Sequence, residues 1–114
     1  MRDILNEKKP SSVNATPEVA DFISKLENGS YLDKIINNAT GKLWNNMFAG
    51  QPVQRKKFPK CYIDKHEIRN LYVLNLDSSR RLTYTLLFDG VGVSVNILEI
   101  FLSHKEYEKR FGYG

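Results

Sequence analysis

The sequence predicts an α+β fold. Three observations lead there: two successive stretches with apolar residues at helical spacing, three later runs with strand composition, and a short amphipathic stretch after them. The order is helix, helix, basic connector, three antiparallel strands, helix. It predicts an N-terminal helical hairpin and a short C-terminal helix on one face of a small antiparallel meander, with the other face open to solvent or a ligand.

Residues 1–15 show no clear periodicity and are read as a flexible leader. Residues 16–114 then form a single domain, long enough for one modest core. Thr16 suits an N-cap and Pro17 a first helical position, where the missing N–H is no loss. Val19, Phe22, Ile23 and Leu26 make one apolar stripe, and Asn28-Gly29 supplies a left-handed stop, which predicts a helix over 17–27. Ser30 and Asp33 resemble a capping box. Leu32, Ile35, Ile36, Ala39, Leu43 and Met47 keep helical spacing until Gly50 and Pro52, with Gly41 as a weak point. Beyond Pro59 the pattern changes. The runs NLYVLNL (70–76), RLTYTLLF (81–88) and VSVNILEIFL (93–102) read as strands, the last two joined by Asp89-Gly90, a strong hairpin signal. A short helix over His104 to Phe111 follows.

Composition narrows the class. Hydrophobic content of 41% and charged content of 26% are those of a soluble globular protein. The longest apolar stretch, Val91 to Leu102, is broken by Gly92, Ser94, Asn96 and Glu99, well short of the ~18 apolar residues a membrane span needs. The N-terminal MRDILNEKKPSS has no apolar run and is not read as a signal peptide. Cys61 is the sole cysteine, which excludes an internal disulfide and a cysteine-based zinc site and suits a reducing cytoplasm. There is no Gly-rich phosphate loop, paired metal-spaced histidine or G-x-S-x-G elbow, so no cofactor or metal is expected. The net charge of +4 is concentrated. Arg55, Lys56, Lys57, Lys60, Lys65 and Arg69 face only Asp64 and Glu67 between Gln51 and Arg69, while the rest of the chain is balanced. Such a run is either a solvated loop or an electrostatic footprint for a polyanion.

From Leu71 onward short motifs follow one another: LYVLNL (71–76), DSS (77–79), RLTY (81–84), VNILEIFL (95–102) and HKEY (104–107). In this order, and with two helices before them, the chain resembles the RelE/ParE superfamily of toxin–antitoxin toxins from about Thr16 to Tyr107. The resemblance implies a RelE-like fold and a metal-independent endoribonuclease that cleaves mRNA, free or on the ribosome. It also implies a small acidic antitoxin partner and a homodimer or toxin–antitoxin hetero-oligomer. The sheet arginine that meets the scissile phosphate matches Arg81, the terminal basic group matches His104 or Lys105, and the terminal tyrosine matches Tyr107. The lysine that such toxins often carry on the preceding strand is matched by Asn75, which supplies neither charge nor base. The family's opening strand has a degenerate match near Ser12 to Ala15.

Cleaving RNA through its own 2′-hydroxyl needs a base, positive charge at the developing phosphorane, and an acid for the leaving oxygen. Arg81 suits the second role, because a guanidinium fork matches phosphate and stays charged. His104 suits proton transfer near neutrality, and Tyr107 assists or stacks on a base. Arg55, Lys56, Lys57, Lys60, Arg80 and Lys105 would neutralise neighbouring phosphates. Structural roles compete with each of these. Arg80 and Arg81 follow a turn, His104 sits where an N-cap is expected, and Tyr107 with Phe111 could dock the last helix. Trp44 is expected in the core and His66 on the surface. The alternative function is a catalytically inactive RNA- or protein-binding module on the same scaffold. A third possibility is the gyrase-directed branch, which leaves RNA intact.

Overall fold

Strand pairing sets the frame of the molecule, and it joins segments far apart in sequence. The computed structural model describes residues 8–112. The strands are β1 (Ser12–Ala15), β2 (Gln51–Pro52), β3 (Tyr72–Asn75), β4 (Arg81–Phe88) and β5 (Val93–Phe101). They form one sheet in the order β1-β5-β4-β3-β2. The expected meander is present as β3, β4 and β5, antiparallel neighbours. The sheet is mixed, however, because β1 runs parallel to β5, with Val13 opposite Val95. Ser12–Ala15 therefore belongs to the sheet and not to a leader; residues 1–7 lie outside the described ones.

One face carries α1 (Pro17–Ser24) and α2 (Tyr31–Asn45). Both begin as their sequences dictate. The Thr16 hydroxyl accepts from the Val19 N–H, and the Ser30 hydroxyl accepts from that of Asp33. The Asp33 carboxylate reaches back to the Gly29 N–H at 2.8 Å, a variant of the reciprocal capping box. Helix α1 ends three residues before the predicted position, at a turn closed by Gly29 at φ 83°. Helix α2 stops at Asn45 instead of continuing through Met47, because Asn46 is extended. Val19, Ala39 and Leu43 meet Leu74, Leu82, Tyr84, Val95 and Ile97 in a first core. Trp44 is not in it; the side chain is 45% exposed.

The opposite face is not open, as the sequence had suggested. It is partly covered by α3 (Lys60–His66), inside the basic connector, and by α4 (His104–Phe111). Tyr62 of α3 and Tyr107 and Phe111 of α4 join Leu71, Val73, Leu98 and Phe101 in a second core. Both cores draw on β5, and a bulge sets which of its residues serve each. Tyr84 faces Ile97, but Thr83 faces Glu99, so Leu98 is the extra residue. The bulge shifts the alternation by one. Val95 and Ile97 serve the first core, and Leu98 and Phe101 the second. Among the described residues no helix is long and apolar enough to cross a membrane.

Candidate active site

Arg81 opens β4 directly after a tight turn and lies between Asn75 of β3 and Phe101 of β5 in the strand register. Strand alternation puts it on the face that α4 covers. Helix α4 starts three residues after Phe101, capped by Ser103, whose hydroxyl accepts from the Glu106 N–H at 3.1 Å. That cap fixes the direction of the first helical residue, His104, so the histidine is not the N-cap expected from sequence.

Three side chains consequently converge. An Arg81 Nη2 lies 3.1 Å from His104 Nδ1, and the Arg81 guanidinium carbon lies 4.5 Å from the centre of the Tyr107 ring. Guanidinium has no acceptor, so in this bond Arg81 donates and Nδ1 carries a lone pair. The neutral imidazole then holds its proton on Nε2, which is 3.6 Å from Glu108 Oε1. Arg81 over the Tyr107 ring is a cation–π contact, which holds the cation without neutralising it. Tyr107 is 7% exposed and T-stacked on Phe101. It docks the helix, as the structural alternative had it, and its ring also lines the site.

Arg81 and Tyr107 line a cleft of about 410 Å³, and His104 reaches it through its bond to Arg81. The cleft lining includes Gln51, Gln54, Lys57, Asn75, Arg81 and Tyr107. Lys57 arrives from a 3₁₀ turn (Arg55–Lys57), which leaves Arg55 and Lys56 exposed beside it. Lys60 and Lys105 are exposed on α3 and α4 and do not line the cleft. Arg80 is committed elsewhere. It pairs with Asp77 at 2.8 Å and lies 5.6 Å from the Tyr31 ring centre, while the Tyr31 hydroxyl donates to the same carboxylate.

No family model, curated protein or solved structure matches this chain.

A second cleft, of about 310 Å³, lies between α3 and α4 and is lined by Glu18, Cys61, Tyr62, Lys65, Glu99 and Arg110. Its charges satisfy one another. Arg110 donates twice to Glu99, at 2.8 and 3.0 Å, and the Tyr62 hydroxyl donates to Glu99 at 2.6 Å. Lys65 is paired with Glu18 at 3.2 Å. Burial, then Glu99, pushes the Tyr62 phenol above its ordinary range, so it stays protonated. This network holds α3 and α4 on the sheet. The Arg81 cleft differs in having Lys57 and Arg81 in its lining and no carboxylate among its described lining residues. Sequence alone had marked Arg81, His104, Tyr107 and Lys57. It gave no sign of Gln51 and Gln54, because nothing local shows that their segment would become an edge strand beside Val73.

Proposed function

We propose that this chain is a RelE-like toxin, a metal-independent endoribonuclease acting on mRNA and silenced by a small acidic antitoxin. In this reading α1 and α2 are the family's helical hairpin and β1 its opening strand. The observation that carries it is the convergence of Arg81 with His104 and Tyr107, 23 and 26 positions later in sequence, where Arg81 and Tyr107 line a cleft that also holds Lys57. Arg81 stabilises the phosphorane, where a preorganised cation acts most strongly. When its guanidinium turns to the phosphate, His104 Nδ1 is released to take the 2′-hydroxyl proton; the 2′-oxygen bonds to phosphorus, the P–O5′ bond breaks, and the leaving 5′-oxygen takes its proton from water. Tyr107 keeps Arg81 in place, and Lys57 neutralises a neighbouring phosphate.

One observation favours the second reading, a binding module without catalysis. Asn75 lies directly opposite Arg81 and brings no charge to the floor of the cleft. Induced expression in a bacterial host, followed by growth and by primer extension on a reporter mRNA, separates the two. The nuclease gives discrete cuts, and Arg81→Ala lowers their rate by about 10²–10³-fold, the usual effect of losing one transition-state donor. Intact mRNA in cells containing folded wild-type protein favours the binding module instead.

A further inference from the structure

The chain contains two glutamines, Gln51 and Gln54, and both line the Arg81 cleft together with Asn75. All three are exposed, and their side-chain amides make no hydrogen bond to another described residue. Among the other described amides, those of Asn14, Asn37, Asn45, Asn46 and Asn70 are bonded to neighbouring groups, and those of Asn28, Asn38 and Asn96 are not. An amide presents one donor and one acceptor in a plane, the pattern that pairs with a base edge. The cleft volume of about 410 Å³ falls in the range of small-ligand sites and suits one unstacked nucleobase better than a base stack. Pro52, Val53 and Val73 supply apolar surface for the flat faces of a ring. Lys57 and Arg81 stand where the flanking phosphates would lie.

We infer that this cleft reads a single flipped-out RNA base through the amides of Gln51, Gln54 and Asn75, and so sets the sequence preference of the Arg81 site. The inference rests on the RNA reading above and adds a specificity pocket to it. Single-stranded RNA is generally recognised this way, by splayed bases held at their edges. The cationic lining favours RNA over a peptide segment.

The test is binding by the full chain, followed by fluorescence anisotropy. The probes are short 2′-O-methyl ribose-phosphate oligomers that carry one central base (A, C, G or U) and abasic positions elsewhere. They cannot be cleaved, because the attacking hydroxyl is blocked. Wild type is expected to favour one base by about tenfold, the order of discrimination a bidentate amide contact gives. Gln54→Ala and Asn75→Ala are expected to bring the four affinities within about threefold, while the salt slope set by phosphate contacts persists. Gln54→Glu, which replaces the amide donor by an acceptor, is expected to change which base is preferred. Equal wild-type affinity for all four probes, or a preference that survives all three variants, overturns base reading and leaves the RNA reading standing. Failure of every probe to bind at low salt overturns both.

Discussion

Tyr84 shows how much one hydroxyl can hold. The residue is fully buried, and its hydroxyl donates to the Met47 carbonyl at 2.7 Å and accepts from the Gly50 N–H at 3.0 Å. It thereby ties the chain leaving α2 to the sheet just before β2 and the cleft lining begin. Burial pushes the phenol up to about 12. Gly50 is part of the same joint. A Cβ there would lie 2.8 Å from the Val73 carbonyl oxygen and 2.9 Å from a Tyr84 ring carbon, so the close approach requires glycine. Tyr84→Phe leaves two buried backbone groups unpaired and is expected to cost about 1–3 kcal/mol by urea unfolding. Unchanged stability would mean that water or a backbone shift satisfies both groups.

At the scale of elements, the cap of α4 links stability to the site. Ser103→Ala removes an N-cap and is expected to cost about 0.5–2 kcal/mol, measured by urea unfolding. Because His104 is the next residue, the nuclease proposed above should cleave mRNA more slowly in the same variant even at temperatures where the fold is intact. A drop in stability with full cleavage would show that Arg81 alone orients the site. The elements legible in the sequence were those with period and punctuation. Thr16-Pro17, Ser30 with Asp33, and Asp89-Gly90 each marked an end that the structure has, and β4 and α4 have the predicted bounds. The missed elements lacked such marks. Helix α3 is seven residues long, and within its charged KCYIDKH only Tyr62 is buried. Strand β2 has two residues, one of them proline, on a sheet edge, where a missing N–H is tolerated. Strand β1 had only the degenerate match near Ser12 to Ala15 that the resemblance offered, because its partner lies more than eighty residues away. At the site, Arg81 and His104 were legible as chemistry, but the tautomer that joins them depends on distances no sequence pattern encodes.

For the whole molecule, acid is the expected weakness. Asp77 accepts from the backbone N–H groups of Ser79 and Arg80, and these hold its carboxyl well below the usual range. Asp89 is lowered by the Gly92 and Val91 N–H groups, and Glu18 by its own backbone N–H and by Lys65. A carboxyl with a depressed folded pKa contributes stability above its unfolded pKa, about 4, and loses it as pH falls through the folded value. Urea midpoints should therefore drop below about pH 4, and Asp77→Asn should flatten part of that dependence. An equally steep profile in the variant would assign the acid sensitivity to other carboxylates. The parallel pairing of β1 with β5 has a consequence for biosynthesis. Ser12–Ala15 is made well before its neighbour in the sheet, Val93–Phe101. Until Val93–Phe101 is made, α1 and α2 therefore carry an apolar stripe without the β5 strand that receives it. That exposure lasts longer the farther apart paired segments lie in sequence. The nascent chain cannot close its first core until Val93–Phe101 has emerged, which leaves a long interval in which another protein could reach those helices.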